Sequence, residues 1–192
     1  MPPTPVSTRD ALLDAAYDAA VGGDWARTRM ADVARAAGVS RQTLYNEFGS
    51  KDALAQAMAM REVEQFLEGT ERALEDAHHD DPIQAVAAAA LYTLQQAADN
   101  PLLKAAIIDD NSGLLSFLTT RGEPAMAAAK ASFERYYATH WPDLSPQDIA
   151  AAAETITRLT ISYVVLPADE PAETVAHRLA DLARKLLGRT TS

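Results

Sequence analysis

Between positions 40 and 51 the chain reads Ser-Arg-Gln-Thr-Leu-Tyr-Asn-Glu-Phe-Gly-Ser-Lys. Arg41, Gln42, Thr43, Tyr45 and Asn46 crowd hydrogen-bonding side chains around one apolar residue, Leu44. An arginine can meet guanine, and a glutamine adenine, through two parallel hydrogen bonds, each such pair contributing roughly 1–3 kcal/mol of discrimination between bases. Across the whole chain there is no cysteine, so a thiolate nucleophile, a thiolate metal site and a disulfide framework are all excluded. A nucleophile paired with a base, a phosphate-cradling glycine loop and a metal triad are not legible either, so neither an enzyme nor a bound cofactor or metal is expected. His78, His79, Asp80 and Asp81 carry metal-capable groups, but four consecutive residues cannot converge on one ion, and they read as a solvated interhelical loop. Asp109-Asp110-Asn111 lacks the spacing of a calcium loop.

The elements that must position the 41–46 cluster are helices. Alanine is abundant, glycine is limited to eight residues and β-branched alternation is nearly absent, so the fold class is all-α. Ser7 with Asp10 opens a first helix that runs to about Val21 and puts Leu13, Ala16, Tyr17 and Ala20 on one face. Thr28 is placed to cap a second helix carrying Met30, Val33, Ala34 and Ala37, which Gly38 ends. Ser40 caps a short third helix to Phe48. After the break at Gly49, Ser50 caps a long helix over 51–77. Two short helices around a tight glycine turn form a helix-turn-helix, with Val33, Ala37, Val39, Leu44 and Phe48 as its small core. Leu44 inward leaves Arg41, Gln42, Thr43, Tyr45 and Asn46 outward, free to meet base edges and phosphates in a major groove.

The run from Asp32 to Leu54 (DVARAAGVSRQTLYNEFGSKDAL) resembles the TetR family of transcriptional regulators, and the likeness covers residues 7–54. It implies an N-terminal three-helix DNA-binding domain over 1–54 and an effector-binding and dimerisation domain over 55–192, about nine to ten helices in all. It further implies a ligand-responsive repressor, a homodimer on a palindromic double-stranded operator. By the same resemblance Thr43, Tyr45 and Lys51 are phosphate or thymine-methyl contacts. Ser40 and Asn46 complete the DNA-binding set, and Thr28 and Arg29, at the positive end of the second helix, suit another phosphate. One position departs from the family pattern, which often has His where this chain has Glu47. An acid there repels phosphate unless it turns toward Arg41 or Lys51, or accepts from a cytosine amino group.

The remaining sequence divides at prolines and glycines into helices near 82–99, 101–111, 114–119, 124–140, 146–166 and 172–187. Val175, Leu179, Leu182 and Leu186 follow a four-three-four spacing, and Ile149, Ala153, Ile156, Leu159 and Tyr163 share a face of the preceding helix. Two such helices from each of two copies would make a four-helix dimer interface, although the same spacing also suits packing inside one chain. Tyr92, Ile107, Ile108, Phe117, Arg121, Phe133 and Tyr137 are candidates for an effector pocket. Few charged residues interrupt the stretch from Ile107 to Phe133, which favours an apolar effector. The loose similarity of the middle segment to TetR-like regulators beside alkane-oxidation or fatty-acid genes suggests a medium or long acyl chain, with Arg121 or a tyrosine hydroxyl at its head group.

Charge bears on the partner. Of the net charge of −10, residues 1–60 hold only −1 and residues 61–192 hold −9, so DNA affinity must come from a few placed cations and two-fold symmetry. The alternative, a helical adaptor that binds protein through its acidic surface, explains the charge but leaves the 41–46 cluster unexplained. With neither a signal-like segment nor a long apolar run, the expected setting is the cytoplasm, away from membranes.

Overall fold

The computed structural model describes residues 7–23, 25–77, 80–108 and 113–188, and among these the chain is helical with no strand. In order come α1 (Thr8–Val21), α2 (Met30–Ala36), α3 (Arg41–Phe48), α4 (Lys51–Ala77), α5 (Pro82–Asp99), α6 (Pro101–Ile108), a 3₁₀ helix (Leu114–Leu118), α7 (Glu123–His140), α8 (Pro146–Val165) and α9 (Ala172–Leu186). Local chemistry sets the boundaries. Ser7, Ser40 and Asp81 accept the backbone N–H of Asp10, Thr43 and Ile83, each at 3.0 Å, which satisfies donors that a helix start leaves orphaned. Pro82, Pro124 and Pro146 occupy first-turn positions, where a missing N–H costs nothing. The cap of α2 falls one residue later than Thr28: at Arg29 the backbone N–H donates to Asp32 Oδ2 at 3.2 Å, an acid one turn inside the helix. His78, His79 and the 109–112 segment lie outside the described residues. Among the described residues no helix is long and apolar enough to cross a membrane.

The chain forms two compact units, Met1–Glu62 with Pro101–Thr119, and Val63–Asn100 with Thr120–Ser192. The first differs from the expected 1–54 module in two ways, for it holds the opening turns of α4 and also α6 with the 3₁₀ helix. In it α1 packs on α2 and α6, and α2 on α3. Leu12, Leu13, Val33, Leu44, Leu54 and Met58 fill the centre, with Leu44 fully enclosed. Full burial of an aliphatic side chain of this size contributes about 1.5–3 kcal/mol. The turn between α2 and α3 passes through Gly38 at φ 69°, a left-handed conformation that a Cβ would strain.

Leu102, Ala106, Leu114 and Phe117 join that same core. Phe117 therefore belongs to the helix-turn-helix unit instead of an effector pocket. Ile107 and Ile108, from the same connector, are exposed, Ile108 at 84 %. Sequence order misled here, because the segment between α5 and α7 is built into the N-terminal unit although it lies in the middle of the chain.

In the second unit α5 packs on α9 and α8, α7 on α8, and α8 on α9. The four-three spacing along α9 serves this packing: Val175 and Leu179 meet a core that includes Val86, Ile149 and Ile156. Ile149, Ala153, Ile156, Val175 and Leu179 are each no more than 5 % exposed within one chain, so they have no surface left for a second copy. Of the residues expected at a dimer interface, Leu159, Tyr163, Leu182 and Leu186 remain half-buried and reachable. Periodicity identifies an apolar face correctly but does not say which partner covers it.

Candidate functional site

The exposed side chains of α3 lie on a short, well-anchored helix. Ser40 secures its start twice, accepting from the Thr43 N–H and lying 2.8 Å from the Thr43 hydroxyl. Leu44 and Phe48 tie the opposite face into the core. Ser40, Arg41, Gln42, Tyr45 and Asn46 are exposed and Thr43 is half-buried. The Arg41 guanidinium lies over the Tyr45 ring at 5.9 Å, and Gln42 Nε2 donates to Asn46 Oδ1 at 2.8 Å. The helix thus presents a cation braced on an aromatic and a pair of mutually bonded amides. Eight residues at 1.5 Å each span about 12 Å, the reach of one major-groove crossing. Arg29, exposed at the start of α2, and half-buried Thr28 flank this surface in sequence.

Two residues depart from the roles the sequence suggested. Glu47 turns to neither Arg41 nor Lys51 but accepts from Arg9 Nη1 of α1 at 2.8 Å, while the same guanidinium covers the Phe48 ring at 4.8 Å. Arg9, 38 positions upstream of Glu47, is a residue that spacing rules within one helix cannot find. Lys51 points inward: its Nζ donates to the carbonyls of Trp25 at 2.5 Å and Ala26 at 3.3 Å and sits 4.9 Å from the Trp25 ring. Partial burial holds its pKa below the ordinary lysine value. Lys51 therefore staples the loop before α2 to the start of α4.

The second unit holds a partly open cavity of about 140 Å³ whose walls come from α4, α5, α7 and α8. Leu67, Glu71 and Leu74 face it from α4, Val86 and Thr93 from α5, and Ile156 and Thr157 from α8. Phe133 and Tyr137, both expected in a pocket, line it from α7 with their rings stacked 4.2 Å apart. The Tyr137 hydroxyl is committed, donating to the Pro82 carbonyl at 2.6 Å, and burial drives its pKa well up. Arg121 is exposed and is not part of the wall. Tyr92 is not part of it either. A Cβ built on Gly69 would lie 2.3 Å from the Tyr92 hydroxyl, so the tyrosine tip occupies space that the missing side chain leaves open on α4. The sequence reading missed Glu71 and Ser132. Glu71 accepts from Ser132 Oγ at 2.5 Å and also from Arg135. Leu67, Glu71 and Leu74 share a helix face by their four-three spacing, so a carboxylate on an apolar stripe was a visible signal for the first of them.

Comparison with known proteins agrees with both halves. Residues 12–58 match the family model for bacterial regulatory proteins of the tetR family, and residues 81–185 match that for the bacterial tetracyclin repressor C-terminal domain. The HTH-type transcriptional regulator AlkX of Mycobacterium tuberculosis is 33 % identical over 92 % of this chain and 82 % of its own length. The crystal structure of the TetR family repressor AlkX from a Dietzia strain, implicated in biodegradation of n-alkanes, superposes with a TM-score of 0.76 at 29 % identity, covering 96 % of this chain and 100 % of that one. The transcriptional repressor QsdR of R. erythropolis shares the fold, with a TM-score of 0.67 at 16 % identity over 96 % of each chain. With a helix-turn-helix that exposes Arg41, Gln42, Tyr45 and Asn46, and family matches over both halves, the chain belongs to the TetR family of DNA-binding transcriptional regulators.

Proposed function

We propose that this regulator is a repressor that holds a palindromic operator as a homodimer in the cytoplasm and leaves it when a small apolar molecule occupies the cavity of its second unit. The observation that carries this reading is the continuity of α4. Its opening turns, with Leu54 and Met58, pack the helix-turn-helix unit, and its later turns, with Leu67, Glu71 and Leu74, line the cavity. A ligand that displaces the later turns thereby acts on the helix that carries the earlier ones. Two recognition helices must match half-sites about 34–36 Å apart, so a modest change in their separation weakens both contacts together. An effector that prefers the released state by a few kcal/mol is sufficient. The dimer uses the half-buried α8 and α9 residues Leu159, Tyr163, Leu182 and Leu186. The n-alkane biodegradation in which the Dietzia repressor is implicated supports a hydrocarbon-linked role.

The test is fluorescence anisotropy on DNA from upstream of the protein's own coding region. Saturable binding that weakens steeply with salt, at two protomers per palindrome, is the expected result. Absence of saturable binding even at low salt would sink the reading.

A further inference from the structure

Resting on the reading that α4 links operator release to the cavity, we infer that Glu71, Ser132 and Arg135 are positioning residues for operator binding. They form a polar clasp between α4 and α7 that fixes where α4 lies in the second unit. None of the three belongs to the helix-turn-helix. The first argument is how little apolar packing holds this part of α4. Its opening turns bury Leu54, Ala55 and Met58, each no more than 3 % exposed. Among the described residues 63–76, by contrast, only Gly69 and Leu74 are buried. Gly69 has no side chain to pack, and its backbone comes so near α5 that a Cβ there would lie 2.3 Å from the Tyr92 hydroxyl.

The second argument is the quality of the bond. Ser132 is 7 % exposed, and its Oγ donates to Glu71 Oε1 at 2.5 Å. Arg135, one turn on along α7, donates to the same oxygen. A hydrogen bond to an ionised acceptor is stronger than one between neutral groups, and a buried hydroxyl that loses its partner is penalised. The Arg135 ion pair is open to solvent and adds little by itself. Ser132 is therefore the anchor, and Arg135 orients the carboxylate toward it.

The third argument is place. Glu71 and Ser132 both line the cavity, so a molecule that enters it meets the clasp. When the clasp opens, Leu74 is the buried side chain that still holds the later turns of α4, and those turns spread over several positions. Two recognition helices fit their half-sites at one separation. Spreading α4 over several positions lowers the fraction of protein that is competent to bind, and the apparent Kd rises in inverse proportion to that fraction. The clasp thus favours the operator-bound arrangement.

The experiment is fluorescence anisotropy of the full-length protein on its upstream DNA, with thermal midpoints recorded beside it, for the wild type, Ser132→Ala, Glu71→Leu, Glu71→Gln and the double variant Glu71→Leu with Ser132→Ala. Each of Ser132→Ala and Glu71→Leu should weaken operator binding by about fivefold or more. The double variant should bind no more weakly than Glu71→Leu, because either change opens the same clasp. Glu71→Gln keeps an acceptor for Ser132 and should stay within about twofold of the wild type. A leucine at 71 extends the apolar face of Leu67 and Leu74, so Glu71→Leu should melt no lower than the wild type, which separates positioning from a role in stability alone. Affinity losses that appear only with a lower melting midpoint, losses that add in the double variant, unchanged affinity, or tighter binding by either single variant would each overturn the clasp while leaving DNA binding by the wild type in place. A wild type without saturable binding refutes the operator reading itself, and this inference with it.

Discussion

Arg9 on α1 and Glu47 at the end of α3 are joined by a 2.8 Å ion pair, with the same guanidinium over Phe48. The pair answers how a DNA-reading helix carries an acid: the carboxylate is turned sideways and neutralised by a neighbouring helix. Both partners are exposed, so the pair adds little to stability, at most about 1 kcal/mol. Arg9→Ala should nevertheless weaken operator binding several-fold by freeing a negative charge beside phosphate, and adding Glu47→Gln should restore most of the loss. Anisotropy titrations of the two single variants and the double variant measure the coupling. If the double variant binds as poorly as Arg9→Ala, then Arg9 itself meets the DNA.

Arg41 is exposed and held over Tyr45, poised away from the protein core. Arg41→Ala should cost about 1–3 kcal/mol at one base position and flatten the preference among operator variants there. Mass by light scattering should stay that of the wild type. A change in oligomeric mass would show that Arg41 does structural work.

Lys51 gives a contrary prediction, since its ammonium is bound to the Trp25 and Ala26 carbonyls. Lys51→Met leaves those carbonyls short of a donor and should cost about 1–3 kcal/mol of stability, seen as a lower urea midpoint by tryptophan fluorescence. The salt dependence of DNA binding by the folded variant should not change. A slope shallower by about 0.9 for each of the two protomers would mean that Lys51 reaches a phosphate after all.

Reach along the chain decides which features were readable. Caps and turn residues act within a few positions, so Ser7, Ser40, Gly38 and Asp81 were readable as boundaries, and the α2–α3 core followed from Val33, Leu44 and Phe48. Contacts closed by tertiary packing were not readable. Arg9 finds Glu47, Lys51 finds the Trp25 carbonyl, and Phe117 enters the N-terminal core only because helices far apart in sequence meet. Likewise Val175 and Leu179 have a spacing that is equally good for a second copy and for the α5 that in fact covers them.

Tyr137 couples the cavity wall to the start of α5. Its buried hydroxyl donates to the Pro82 carbonyl at 2.6 Å, and Tyr137→Phe should cost about 1–3 kcal/mol by leaving that carbonyl unpaired. Burial raises the phenol well above its ordinary value of 10.0, so the unfolded chain loses this proton first as pH rises. The contribution is complete below that value and is lost as pH climbs from there toward the folded value. Urea midpoints of wild type and Tyr137→Phe should therefore differ most near neutral pH and draw together in strong alkali. A gap that stays constant would show that the loss comes from packing alone.

Glu154 on α8 predicts the opposite limb. It accepts from Lys130 of α7 at 2.5 Å and from Arg158 one turn on, and these hydrogen bonds hold its carboxyl below the ordinary value of 4.5. A depressed folded pKa means that the unfolded state takes up the proton first as the solution is acidified. The stabilisation is present above 4.5 and is lost as pH falls through the lower folded value. Because the group is half-buried and within reach of solvent, the effect is modest and should shrink with added salt. Glu154→Gln should melt below the wild type near neutral pH, and the two melting curves should converge on acidification. Persistence of the difference at the acid end would mean that the glutamate links α7 and α8 by shape, with its charge playing no part.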